Sequence, residues 1–195
     1  MEPLQIELPE QLTTDRMVIR CPGEADAPAM HAAVCESLDD LRPWMPWAQA
    51  APTLAASQAD CRRLQAKHLR REDLPMFMFE RLADGSEGHF IGGIGLHRIL
   101  WDVRRFEIGY WCRTAMQGRG FVGEAVVALS RFVFDRLQAR RVEVRMDPAN
   151  VRSWQVAERA GFTLEGTLRQ DSLTPQGEPR DTLVYARVRG VEEPA

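Results

Sequence analysis

Gln117-Gly118-Arg119-Gly120-Phe121-Val122-Gly123-Glu124-Ala125 is the stretch whose reading decides the fold. Its glycines let the backbone approach a ligand closely. After it, Val122, Val126, Leu129, Val133 and Leu137 recur at spacings of 4, 3, 4 and 4, which is one face of a helix. Before it, Arg105 to Trp111 reads as a strand. A glycine loop between a strand and a helix points free N–H groups and the positive end of the helix dipole at an anion. Arg119 adds a fixed positive charge. A diphosphate is the natural guest.

The same glycines match the dinucleotide-binding spacing Gly-x-Gly-x-x-Gly, but a lone match is weak. Two features count against it. Cys112 to Gln117 separate the strand from the first glycine, and the 77 residues left after Gly118 (195 − 118) cannot complete a doubly wound sheet. No Gly-Lys-Ser/Thr follows, so the loop is not of the Walker type.

Working outward, Met17 to Cys21 alternates apolar and basic residues and reads as a strand ending before Pro22. Ala25 to Ser37 predicts a helix with Met30, Ala33 and Val34 on one face. Pro43 and Pro46 exclude regular structure in Leu41-Arg42-Pro43-Trp44-Met45-Pro46-Trp47. Ser57 to Arg71 predicts a second helix, opened by an approximate capping box of Ser57 and Asp60. Strands follow at Met76 to Arg81, Phe90 to Arg98 and Arg105 to Trp111, with hairpin connections at Asp84-Gly85 and Trp101-Asp102. After the amphipathic helix, Arg141 to Met146 returns to period two. Asn150 can cap a short helix to Ala160, which Gly161 can close. Final strands fit Phe162 to Gln170 and Thr182 to Val188, with a turn at Pro175-Gln176-Gly177. The ends, Met1 to Pro9 and Val191 to Ala195, read as frayed. The order β-α-α-β-β-β-α-β-α-β-β predicts an α/β (α+β) domain. Its sheet is mixed and mainly antiparallel, with one parallel β-α-β unit over residues 105 to 146.

Taken together, these pieces resemble the GNAT acetyltransferases, and within them the RimJ/RimL-type branch that acetylates protein N-termini. The resemblance runs from about Leu12 to Arg189. It rests on Thr13 to Arg20, Leu41 to Trp47, Glu107-Ile108-Gly109-Tyr110-Trp111, Gln117-x-x-Gly120, Asn150-x-x-Ser153 and Glu158-x-x-Gly161-Phe162. It implies the GNAT fold: a central sheet of about seven strands, helices on both faces, and two splayed parallel strands, Arg105 to Trp111 and Arg141 to Met146. It implies acetyl-CoA as donor and coenzyme A as product, with no metal. Tyr110, Trp111 and Cys112 would lie along pantetheine. Gln117, Gly118, Arg119, Gly120, Phe121, Val122 and Gly123 would hold the pyrophosphate, and Asn150 and Ser153 would reach the pantetheine arm and the sulfur. Trp44 and Trp47 would sit at the acceptor mouth. There are two departures. Val122 stands where Gly or Ala is usual, and Ala157 stands where many relatives carry a tyrosine that protonates the leaving thiolate. In RimL-like members a serine at the position of Ser153 serves instead.

The implied reaction is aminolysis of a thioester, which needs a neutral amine, a polarised carbonyl and a proton for the sulfur. At pH 7 roughly a tenth of an α-amine is already neutral, against well under a thousandth of a lysine. A carboxylate base acting through water then suffices. Glu107 is the first candidate and Asp171 the second, with Ser153 as the acid. His31, His68, His89 and His97 are scattered without a Ser or Cys partner, so no catalytic histidine is expected.

Composition sets outer limits. The net charge of -3 over 195 residues suggests no nucleic-acid or polybasic membrane surface. Cys21, Cys35, Cys61 and Cys112 form no CxxC pair and no zinc spacing. They read as reduced thiols of a cytoplasmic protein. The N-terminus lacks a signal-peptide pattern. The expected partner is a protein N-terminus or peptide amine, and a homodimer is expected from the resemblance alone. Two alternatives stay open: a polyamine or aminoglycoside acceptor, and a non-catalytic acyl-CoA-binding protein. Glu36, Asp39, Asp40 and Asp171 lie near the site but form no dense acidic cluster, which favours the peptide.

Overall fold

The computed structural model describes residues 3–194. Eight strands form one sheet: β1 (Gln11–Thr13), β2 (Met17–Arg20), β3 (Leu74–Arg81), β4 (Glu87–Leu100), β5 (Arg105–Cys112), β6 (Arg141–Met146), β7 (Thr163–Leu173) and β8 (Pro179–Val188). Their order is β1-β2-β3-β4-β5-β6-β8-β7. Neighbours run antiparallel except β5 and β6, which are parallel. The strand beyond the expected seven is β1. Its three residues are too few for alternation to be read, and a turn in which Thr14 Oγ1 accepts from Met17 N at 2.9 Å folds it onto β2.

The helices are α1 (Ala27–Glu36), α2 (Leu38–Leu41), α3 (Leu54–Leu69), α4 (Phe121–Asp135) and α5 (Val151–Arg159). Strand alternation divides the apolar side chains between two faces. On one face Val126, Leu129 and Val133 of α4 and Ala157 of α5 pack on Met78, Ile91, Phe106, Ile108 and Val144. On the other, Met30, Ala33 and Val34 of α1 and Cys61 of α3 pack on Phe77, Phe79 and Phe90. Each large aliphatic buried there contributes about 1.5–3 kcal/mol.

Two local expectations need correction. The cap of α3 is Thr53, whose hydroxyl accepts from Ala56 N at 3.1 Å. Thr53 is extended (φ −79, ψ 159), the conformation that lets a side chain reach back to the first turn. Ser57, proposed as the cap, is buried one turn inside the helix. The ends are also docked. Ile6 and Leu8 pack against the core, and Glu193 pairs with Arg187. Of the segments read as frayed, Met1, Glu2 and Ala195 lie outside the described residues.

The feature that positions the site is a fork. β5 and β6 pair only at Arg105↔Arg141, Phe106↔Val142 and Glu107↔Glu143. β5 then stays with β4 as far as Gly92↔Cys112, and β6 stays with β8 as far as Met146↔Leu183. The two half-sheets therefore part just beyond Glu107 and Glu143.

Candidate active site

The backbone of β5 lines the fork. Arg113 N donates to Ile91 O at 2.8 Å, so that amide faces β4. Alternation then turns the amides of Trp111 and Gly109 towards β4, and those of Tyr110 and Cys112 into the fork. Backbone polar groups removed from water need partners. A slim extended ligand lying in the fork would meet this row.

At the mouth of the fork stands the glycine loop. Gly120 is the N-cap of α4 with φ 80 and ψ 2, a left-handed conformation costly for any residue with a Cβ. A Cβ at Gly118 or Gly123 would meet nothing within 4 Å, so the surface there is open to approach. The first-turn amides of α4 have no partner within the helix. The guanidinium groups of Arg16 and Arg119 each lie 4.8 Å from the centre of the Phe121 ring. Arg119 also reaches Glu80 at 2.8 Å, and Arg16 reaches Glu124 at 2.7 Å. Val122 is half-buried and packs against the core. Across the mouth, Arg152 in the first turn of α5 donates to Gln117 Oε1 at 2.8 Å.

The loop is also anchored from behind. Glu36 accepts from Arg113 Nε at 2.7 Å and from Ala115 N at 2.9 Å. Ser37 Oγ accepts from Thr114 N at 2.9 Å. Asp40 accepts from Thr114 Oγ1 at 2.6 Å and from Gln117 Nε2 at 3.2 Å. Two of the acids noted near the site are therefore engaged in holding the loop. The Arg113 hydrogen bond is the main cause holding the Glu36 carboxyl below its usual value. A lowered folded pKa gives stability that is full above the unfolded value and lost as pH falls through the folded one. Glu36→Gln is therefore expected to weaken acetyl-CoA binding by about threefold to tenfold at pH 7, one hydrogen bond's worth. Titration calorimetry at pH 7 and at pH 4 checks this, and the difference between variant and parent should shrink at the lower pH.

Inside the fork, on the α4 side, Asn150 Oδ1 accepts from Ser153 N at 3.2 Å and caps α5. The Tyr110 hydroxyl lies 3.0 Å from both Ser153 O and Ser153 Oγ. A carbonyl can only accept, so Tyr110 donates to Ser153 O, and the Ser153 hydroxyl in turn donates to the Tyr110 oxygen. Burial pushes the Tyr110 hydroxyl up to about 12, so it keeps its proton across the neutral range and acts on Ser153 as a fixed partner. Ala157 is fully buried in the core and offers no hydroxyl. Tyr110→Phe is expected to lower kcat by about tenfold, of the order of one net hydrogen bond, with acetyl-CoA affinity unchanged. Steady-state kinetics beside calorimetry would separate these two effects.

Glu107 belongs to the opposite, α1 face. It stands at the root of the fork with Arg98 Nη1 at 3.3 Å, and burial raises its carboxyl above the ordinary range. Asp171 is on β7, two strands beyond β6, where Arg145 Nη2 holds it at 2.8 Å. The structure therefore does not bring the two proposed bases together. The Trp111 side chain is also on the α1 face, with the Trp47 ring 5.8 Å away, edge to face, and Phe90 at 5.7 Å. Trp47 is exposed, and Trp44 is half-buried in the same turn.

One row of residues escaped the sequence reading. Gly93 lies beneath Trp111, where a Cβ would come within 2.5 Å of the indole nitrogen, and Gly95 and Gly109 continue the row towards His97 and Glu107. Three glycines without side chains leave a shallow floor between an aromatic wall and a pair of titratable groups. The alternation Gly93-x-Gly95 in β4 was the available signal. Among the described residues, no cluster of three or more His, Cys, Asp or Glu could hold a metal ion. Nor is any helix among them long and apolar enough to cross a membrane.

A sheet forked beside an anion-binding helix start, with a hydroxyl on one side of the fork and a carboxyl on the other, is the framework of a coenzyme A-dependent acyl-transfer site. Comparison with known proteins agrees. The family model described as "Acetyltransferase (GNAT) domain" matches residues 16–163, and the chain belongs to that family. It is similar to a putative ribosomal N-acetyltransferase, YdaF, of Bacillus subtilis, 33% identical over 53% of this chain and 56% of that one. It is also similar to the ribosomal-protein-serine acetyltransferase of Escherichia coli, 27% identical over 90% of this chain and 94% of that one. A solved structure of RimL, a ribosomal L7/L12 alpha-N-protein acetyltransferase in complex with coenzyme A, shares the fold. Its TM-score is 0.83 at 24% identity, covering 92% of this chain and 98% of that one.

Proposed function

We propose that this protein transfers acetyl from acetyl-CoA to the N-terminal α-amine of a protein or peptide. The observation that carries the proposal is the fork. It offers the amides of Tyr110 and Cys112 to an extended arm, and it ends at a glycine loop and helix start suited to a diphosphate. That combination fits acetyl-CoA, whose pyrophosphate and slender pantetheine arm need these two features in series. Gly118, Gly120, Gly123 and the first-turn amides of α4 would hold the pyrophosphate, with Gln117, Arg119, Phe121 and Val122 shaping the loop. Arg152, which pairs with no carboxylate among the described residues, would add charge at the mouth. Asn150 and Ser153 would flank the arm.

Bound acetyl-CoA supplies an activated acetyl group, and this chain's residues do the rest. An amide aimed into the fork would polarise the carbonyl. Ser153, its hydroxyl held in place by Tyr110, would turn to give a proton to the departing sulfur. Glu107, made more basic than an ordinary glutamate by burial, would take a proton from the amine. Trp47 and Trp111 would form the acceptor wall, with Trp44 behind. An N-terminal amine is favoured over a polycation because Glu36 and Asp40 are occupied by the loop. The ribosomal relatives, matched over 94% of that protein in the Escherichia coli case, support the same choice.

The test is release of coenzyme A, followed with a thiol reagent, across a panel of amines. Peptides with free N-termini should support release. The same peptides with blocked N-termini, polyamines and aminoglycosides should not. Release with the polyamines alone would move the assignment to a small-molecule acceptor.

A further inference from the structure

His97 was set aside in the sequence for want of a partner, and the fold supplies one. Its ring lies across the glycine floor. Nε2 would be 3.3 Å from a Cβ at Gly95 and 3.2 Å from one at Gly109. Its other nitrogen, Nδ1, is 3.7 Å from Asp73 Oδ2, and Lys67 Nζ holds that same oxygen at 3.0 Å. Burial works against the Asp73 charge, but His97 and Lys67 outweigh it and hold the carboxyl low. The imidazole is thus flanked by a carboxylate at Nδ1 while Nε2 rests over the floor that leads to Trp111. Glu107 is its cross-strand partner, with Arg98 on Glu107, and Glu143 and Arg145 lying beyond on β6.

Proton accounting gives this pair a task. An α-amine arriving near pH 7 is mostly ammonium. Acetylation forms the N–C bond and breaks the C–S bond. Nitrogen loses two protons, sulfur gains one, and one proton leaves for solvent. A single carboxylate at Glu107 cannot accept both protons from nitrogen without an outlet. We propose that His97, oriented by Asp73, accepts the first proton from the incoming ammonium at Nε2 and passes it to solvent, leaving Glu107 free for the second. The His97 side chain is 39% exposed, so the outlet is open. The proposal rests on the reading of this protein as an amine acetyltransferase.

The experiment measures kcat/KM for an α-amine peptide from pH 6.5 to 9 with the parent protein, His97→Gln and Asp73→Asn. His97→Gln should lose about tenfold at pH 7, because only about a tenth of the amine is then neutral without help. The loss should shrink to about threefold or less at pH 9, where the amine arrives neutral. Asp73→Asn should show the same trend with smaller amplitude. Acetyl-CoA affinity by calorimetry should match the parent in both variants, and the melting temperature should match in His97→Gln, while Asp73→Asn melts slightly lower for loss of the Lys67 pair. A deficit constant across the pH range would assign His97 a structural role and overturn the proposal, as would no deficit at pH 7. A parent protein inactive on every amine would instead overturn the acetyltransferase reading, and the His97 proposal with it.

Discussion

Glu107→Gln is expected to cut kcat by about two orders of magnitude, the lower end of what a positioned general base contributes, while acetyl-CoA binds as before. The amide keeps the shape of the side chain, so the core beneath it stays packed. Glu107 lies on the α1 face of β5, and the loop that would hold the coenzyme lies at the far end of that strand, beyond Cys112. Donor affinity should therefore be insensitive to the change. Burial is the first cause raising the Glu107 carboxyl, and Arg98 opposes it. The base form therefore appears at a higher pH than for an ordinary glutamate. The acid limb of the parent's kcat profile should lie above the usual carboxylate range and vanish in the variant. Steady-state rates from pH 5 to 9 on one peptide check both statements. An unchanged kcat would remove Glu107 from the chemistry and turn attention to Asp171.

The second large effect concerns the wall of the fork. Gly92 has φ +155, and a Cβ there would sit 2.2 Å from Trp111 O and 3.0 Å from Cys112 Cα. Both are backbone atoms of β5, so no rotamer change relieves the contact. Gly92→Ala must push β5 away from β4 where β5 lines the fork. The expected cost is about 2–4 kcal/mol, core overpacking of about 1–3 kcal/mol with backbone strain added. Denaturant unfolding measures it. Gly123→Ala provides the contrast, because a Cβ there meets nothing within 4 Å. It should be neutral or stabilising by up to about 1 kcal/mol, since alanine is the better helix former. Equal losses from the two substitutions would show that the close approach at Gly92 is not what sets the strand spacing.

How much of this could be read from the chain depended on the range of each interaction. α4 and its glycine loop were legible because an apolar period of 3.6 is a local pattern, and Val126, Leu129 and Val133 are buried as that pattern requires. The Asn150 cap was legible for the same reason, since the cap and the amide it serves are three residues apart. β1 was not, because three residues carry no period. The cap of α3 was misplaced by one turn because Ser57 and Asp60 mimic a box inside the helix, while Thr53 declares itself only through its backbone angles. At the site, the fork followed from family likeness, but its cross-links did not. Tyr110 and Ser153 are 43 residues apart, and Arg113 and Glu36 are 77 apart. Asp73, just before β3, meets His97 only because β3 and β4 pair. Such contacts are set by strand register, which a hydrophobic pattern restricts to a face but does not assign residue by residue.

Acetyl transfer to an N-terminal α-amine leaves its mark on the product. A peptide with a free N-terminus and an internal lysine would be incubated with the protein and acetyl-CoA, and the product sequenced by tandem mass spectrometry. One added acetyl group is expected on the N-terminal nitrogen, with the lysine untouched. Acetyl on the lysine, or no acetyl at all in the presence of tight acetyl-CoA binding, would contradict it.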